Sequence, residues 1–146
     1  MILIAHRGNV NGKQADRENT LSYIKEALDQ GYHCEIDICK WDGDKFWLGH
    51  DEPTEPVDAD WLKNDRLWCH AKDYNSLEAM LIQDIHCFFH HNDDYTLTSQ
   101  GYIWAYPGKI GGKRSIAVHP ERLSMDLIKK FSGVCSDNLI EYKETK

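Results

Sequence analysis

Hydrophobic residues fall in short runs, and most of these runs finish on a charged or imidazole side chain. Ile2 to Ala5 form the first, an apolar stretch that predicts a strand buried on both faces and ending at His6-Arg7-Gly8. In "ENTLSYIKEALDQG", Leu21, Ile24 and Leu28 recur at helical spacing, with Asn19 or Thr20 as N-cap and Gly31 as the C-terminal stop. "HCEIDICKW" alternates instead: Cys34, Ile36 and Ile38 share one face of a strand, and His33, Glu35, Asp37 and Cys39 share the other. Asp42-Gly43 signals a hairpin that returns through "KFWLGHD".

A short helix around Trp61 and Leu62 then leads to the strand "RLWCHAKD". Asn75 and Glu78 match an N-terminal capping pattern ahead of a helix that carries Leu77, Met80 and Leu81. Three apolar runs follow, "HCFFHH", "GYIWAYPG" and "SIAVHP", with no amphipathic helix between them. A helix using Leu123, Leu127, Ile128 and Phe131 and a final strand in "GVCSDNL" close the pattern.

Strands alternating with helices predict a parallel sheet, and polar residues at so many strand ends predict one functional rim. The fold class expected is α/β, as a TIM-type β/α barrel. A complete barrel of that type takes about 250 residues, whereas this chain has 146. The barrel is therefore expected to be reduced or incomplete, a single domain over 1–146 with several crossover helices missing, chiefly in "NDDYTLTSQ" and "KIGGKR".

Composition then removes function classes. A net charge of −7 leaves no basic stripe for nucleic acid, so any anionic ligand must meet a local basic cluster. No stretch is apolar enough to insert stably in a membrane. The five cysteines lack Cys-x-x-Cys spacing and fall among apparent strands, as expected of reduced core thiols in a cytoplasmic protein whose first residues are already structural.

The candidate chemistry lies at the strand ends. Glu35 and Asp37 leave one strand face about 6.5–7 Å apart, and a hard divalent cation relieves the repulsion of two such carboxylates. His50-Asp51 ends the returning hairpin strand, His70 and Lys72 share one face of the next, and His6 and Arg7 end the first. Cations that neutralise phosphoryl oxygens, with two histidines to take and give protons, suit attack on a phosphate ester.

His6-Arg7-Gly8, Glu18-Asn19-Thr20, Glu35-x-Asp37, Asp42-Gly43 and His50-Asp51 occur here in order, and in this the chain resembles the glycerophosphodiester phosphodiesterase family. The resemblance is specific over the first third of the chain. It implies a barrel of the phosphatidylinositol-phosphodiesterase type, with His6 and His50 as general base and acid and Arg7 on a phosphoryl oxygen. Glu35 and Asp37 would then be ligands of magnesium or calcium, and Lys72 the lysine of a Glu-x-Lys on the third strand.

The chain departs from that motif at His70-Ala71-Lys72. With His70 as third ligand the site is softened toward manganese or zinc. The expected partner is a small phosphodiester substrate; a non-catalytic binder of phosphorylated sugars or headgroups is the alternative. "EPTEPVDADWLKN" is shorter than the family's insertion there and predicts an open mouth, and "HPERLSMDLIKKFSGVCSDNL" resembles the family's ending, with Ser136-Asp137 in place of Thr-Asp.

Other features carry less chemistry. Lys109, Lys113 and Arg114 among three glycines read as a flexible turn or a second phosphate site. His90, His91, Asp93 and Asp94 point to opposite faces of an extended chain and so cannot all share one ion. Tyr102, Trp104 and Tyr106 share a face and are expected to fill the barrel. The helix-poor stretch from Cys87 to Val118 leaves outward apolar residues uncovered, which predicts a homodimer packed through that side.

Overall fold

The computed structural model describes residues 1–144, as one ten-stranded mixed sheet with helices against it. The strands are β1 (Ile2–His6), β2 (His33–Trp41), β3 (Phe46–Leu48), β4 (Glu55–Val57), β5 (Leu67–Ala71), β6 (Cys87–Phe88), β7 (Tyr95–Leu97), β8 (Ile103–Ala105), β9 (Ser115–Val118) and β10 (Gly133–Ser136). The helices are α1 (Leu21–Asp29), α2 (Ala59–Leu62), α3 (Tyr74–Ile82) and α4 (Met125–Ile128). The α/β class expected from the alternating pattern is what the chain adopts.

Seven strands run parallel in the spatial order β6, β5, β2, β1, β10, β9, β8. The β3–β4 hairpin adds antiparallel to the far end of β2, and β7 adds antiparallel to β8. The two ends of the parallel array meet. Ser99 N donates to Cys87 O at 2.8 Å, Cys87 N donates to Ser99 Oγ at 2.9 Å, and the rings of Phe88 on β6 and Trp104 on β8 lie 4.6 Å apart. These are single hydrogen bonds rather than a ladder.

Curling divides the apolar residues into two cores. Ile4, Trp68, Phe88, Trp104, Ile116 and Cys135 pack together on the inner face. Cys34, Ile36 and Ile38, the apolar face read from the alternation of β2, pack instead under the helices with Ile24, Leu28 and Met80. The acidic face of β2 therefore points inward. Register then places it: Glu35 lies beside His6 on one neighbour, and Asp37 beside His70 on the other.

The helix termini follow local chemistry. Thr20 caps α1, its hydroxyl accepting from Tyr23 N, and Gly31 takes the left-handed conformation just past its end. At α3 the cap is Asp73, whose carboxylate accepts from Ser76 N, and not the Asn75 pattern expected from sequence. Asn75 lies inside the helix because an Asp two residues earlier already satisfies the orphan amide, an interaction typically worth about 1 kcal/mol.

Between Phe88 and Ser115 the described residues contain no helix, in keeping with the missing crossovers. "NDDYTLTSQ", where a crossover helix was expected to be missing, contains β7. "HCFFHH" gives only two residues of strand, and the final helix is a 3-10 turn at Pro120–Arg122 followed by the short α4. All five cysteines are unpaired. No described helix is long and apolar enough to cross a membrane.

Candidate active site

All seven residues singled out from the sequence, His6, Arg7, Glu35, Asp37, His50, His70 and Lys72, line one cleft of about 770 Å³ at the carboxyl ends of the parallel strands. Six of them form a connected network. The seventh stands apart: His50 lies on the turn after β3, its ring bonded only to neighbouring Asp51 at 2.9 Å and 43 % exposed.

Local backbone explains how the first strand delivers its pair. Arg7 is left-handed (φ 54°) and Gly8 follows at φ 94°, where a Cβ would come within 2.8 Å of the Tyr23 ring. Only glycine fits that position. The turn sends Arg7 across the sheet, where its Nε lies 2.8 Å from Asp37 Oδ2, an ion pair without the angle of a hydrogen bond, and its Nη1 lies 3.3 Å from Glu18. At the hairpin, Gly49 (φ 144°) is equally obligatory, since a Cβ there would strike the Glu52 carbonyl.

The acid pair on β2 is buried, Glu35 at 2 % exposure and Asp37 at 0 %. Asn19, also left-handed, holds Asp37 on both sides: its Nδ2 donates to Oδ2 at 2.9 Å, and its Oδ1 accepts from Asp37 N at 3.0 Å. His70 Nδ1 lies 3.4 Å and Lys72 Nζ 3.3 Å from Asp37 Oδ1. Burial works against the Asp37 carboxylate, but His70, Arg7 and Lys72 outweigh it and hold its pKa well below the usual range. Glu35 goes the other way, pushed up by burial and by the charge of Asp37.

His6 is fixed from outside the predicted set. Its Nδ1 lies 2.7 Å from Asp137 Oδ1, at the end of β10, and its Nε2 faces Glu35 Oε2 at 3.9 Å. Burial disfavours the imidazolium, yet the Asp137 bond and the charges of Glu35 and Asp137 raise its pKa overall. Asp137 itself is held down at about 2, burial being overcome by its bonds from His6 and Asn9. Fully buried Asn9 ties this corner together, donating to Glu18 at 2.9 Å and to Asp137 at 2.8 Å while accepting from Tyr23 OH.

Asp137 was visible in the sequence only as the end of a Ser-Asp pair, and His119 as the residue before the proline that closes "SIAVHP". Neither has a local partner to mark it; each acquires its role from the strand beside it. His119 packs edge-on against His6 with ring centroids 4.6 Å apart. Of the four non-glycine residues with positive φ among the described residues, three belong to this site: Arg7, Asn19 and His119. Backbone strain concentrates where side chains must be aimed.

Other candidates are not brought in. Lys109 pairs with Asp94 at 3.2 Å, and Arg114 donates to the Gly101 carbonyl and covers Tyr102. His90 lines the cleft stacked on His70, but it forms no ligand group with His91, Asp93 and Asp94. Trp104 and Tyr102 fill the inner core as expected, while Tyr106 is exposed at the mouth.

Glu35, Asp37 and His70 fit a divalent cation on the structure's own terms. Each offers a ligand atom within 4.8 Å of the others. Glu35 Oε2 and Asp37 Oδ1, both buried, accept no hydrogen bond among the described residues. Four carboxylates (Glu18, Glu35, Asp37, Asp137) also face only two permanent cations, Arg7 and Lys72. Carboxylates in excess, two of them buried, call for added positive charge. Compared with known proteins, the chain matches no family model, no curated protein and no solved structure.

Proposed function

We propose that this chain is a metal-assisted phosphodiesterase, hydrolysing a small diester of the glycerophosphodiester or sugar-phosphate kind on a reduced β/α barrel. One observation carries the reading. An acid pair, each member with a buried oxygen that accepts no hydrogen bond among the described residues, sits beside an Asp-fixed histidine and two cations in one open cleft. The arrangement of motifs in the first third of the chain supports the same family of reactions, and the unpaired thiols support a cytoplasmic setting.

Glu35, Asp37 and His70 would hold the ion, and the two-oxygen, one-nitrogen donor set favours manganese or zinc over calcium or magnesium. When bound, the ion supplies Lewis-acid polarisation of a phosphoryl oxygen. Arg7 and Lys72 neutralise charge on the remaining phosphoryl oxygens. His6, held by Asp137 with its Nε2 turned toward the cleft interior, takes the proton of the water that attacks phosphorus, as a base oriented by a carboxylate does, while the bond from phosphorus to the leaving alcohol breaks. His50, on its exposed turn, gives a proton to the leaving alcohol.

The test is hydrolysis of glycerophosphocholine, whose alkyl leaving group needs a proton, with added Mn²⁺, with and without chelator. Turnover abolished by chelator is expected. Tight binding of a phosphorylated sugar without turnover would replace the enzyme reading with the binding one.

A further inference from the structure

His119 has no role in the reaction as described, yet the backbone goes out of its way to place it. It follows β9 in the left-handed region (φ 43°, ψ 66°), which residues other than glycine enter uncommonly, histidine, asparagine and aspartate more than most. Both flanks are pinned: its own N–H donates to Cys135 O on β10 at 2.8 Å, and the next residue, Pro120, is buried. The backbone is held there, and the ring faces the same cleft as His6.

What it meets there is the His6 ring, at 4.6 Å between centroids and 82° between planes. A histidine bonded through Nδ1 alone can still swing about that bond. Asp137 fixes one atom of His6; an edge-on ring fixes its plane. The same trio has the composition of a cation cage, but none of the buried side-chain atoms left without a hydrogen-bond partner among the described residues belongs to it, unlike Glu35 and Asp37, and Asp137 Oδ1 is occupied by Asn9 and His6. Burial and the neighbouring His6 lower the pKa of His119, in line with a neutral ring beside the raised His6.

We infer that His119 is the positioning residue for His6: its strained backbone exists to hold an aromatic edge against the general base. The kinetic part of this role rests on the phosphodiesterase reading. The structural part does not.

The experiment follows the His6 Nδ1–H proton by NMR, where a hydrogen bond to carboxylate moves it far downfield; its loss in Asp137→Asn assigns it. His119→Asn keeps a residue tolerant of the left-handed backbone and removes the ring. In that variant the resonance is expected to broaden or vanish and kcat to fall about tenfold to a hundredfold with KM unchanged, while the melting temperature does not drop. His119→Phe, which restores an aromatic edge without nitrogens, should recover both signals. Should the Asn variant fail to fold, His119→Gly makes the same measurement on a backbone free of strain.

A retained resonance and full kcat in the Asn or Gly variant would overturn the inference. So would a Phe variant as deficient as Asn, since a ring nitrogen would then be the working part. If the parent shows no turnover on any diester, the phosphodiesterase reading falls, and the resonance arm alone still decides what His119 does.

Discussion

Strands β1, β2, β5 and β10 and strands β6 to β9 belong to one sheet but are built differently. The first group lies under helices α1 and α3 and ends in charged side chains that bond one another: Arg7, Glu35, Asp37 and Asp137 each have a partner from a different strand or loop. The second group has no helix within it from Phe88 to Ser115, α3 reaching only as far as β6, and contributes rings, from Phe88, Trp104, His90 and His119. Chemistry that needs fixed charge is therefore carried by the half with the deeper core, and the looser half shapes the cleft. Low-dielectric surroundings make a satisfied ionic network rigid and an unsatisfied one costly, so it must be built where the backbone is best held.

Matched acids from the two halves give the largest contrast. Asp37→Asn is expected to weaken Mn²⁺ binding by more than the roughly 10–100-fold that loss of an outer-sphere partner costs, and turnover should fall with it. It should also destabilise the fold, because Arg7 and Lys72 lose the carboxylate they face. Asp94→Asn, which frees only the exposed Lys109, should change neither affinity nor stability. Calorimetric titration of both variants checks this; equal Mn²⁺ affinity in Asp37→Asn and parent would strike Asp37 from the ligand set.

His50, on the turn after β3, belongs to neither group. His50→Ala should lower turnover by about 10²–10⁴-fold, the range of a lost general acid, yet leave Mn²⁺ affinity and melting temperature where they were, since the ring touches only Asp51. A loss of metal affinity in this variant would mean that the turn closes onto the ion, and His50 would join the ligands.

The same division governs what the sequence could reveal. In β2, alternation alone assigned Cys34, Ile36 and Ile38 to one core and Glu35 and Asp37 to the other face, because a strand's period of two leaves no choice. His6 and Arg7 were legible because they end an apolar run. The partners that give them function were not. Asp137 lies 131 residues from His6, and His119 reaches it only through the pairing of β9 with β10. In the looser half, β7 escaped notice because Tyr95–Leu97 is a surface strand with its apolar side chains exposed, and no buried face betrays it.

A smaller effect tests the interior of the looser half. His86, 4 % exposed at the start of β6, packs on Trp68 and bonds Thr98 Oγ1 at 2.9 Å, and burial lowers its pKa from 6.5 to about 4. Between those values the unfolded chain binds the proton and the fold does not. Stability is therefore full above pH 6.5 and is lost as the pH falls toward 4, by at most about 3 kcal/mol. Urea midpoints measured from pH 7 to pH 4 should fall in the parent and flatten in His86→Gln. Parallel curves would show that His86 takes its proton while folded.

The smallest effect concerns the outside of the same half. Tyr102 and Trp104 turn inward, and Ala105 is buried, so the uncovered outward set is Tyr95, Leu97, Ile103 and Ile110, at 45, 67, 36 and 69 % exposure, gathered in one shallow groove. Contiguous apolar surface of this kind marks an interface more often than bare solvent contact. We propose that a second copy covers it, as a weak homodimer formed at micromolar concentration. None of the four residues lines the cleft, so Leu97→Lys should give a monomer by light scattering with metal affinity and turnover per subunit unchanged. A parent protein that already scatters as a monomer at these concentrations would show that β7 and β8 tolerate water on their outer face, and that the missing helices were dispensable there.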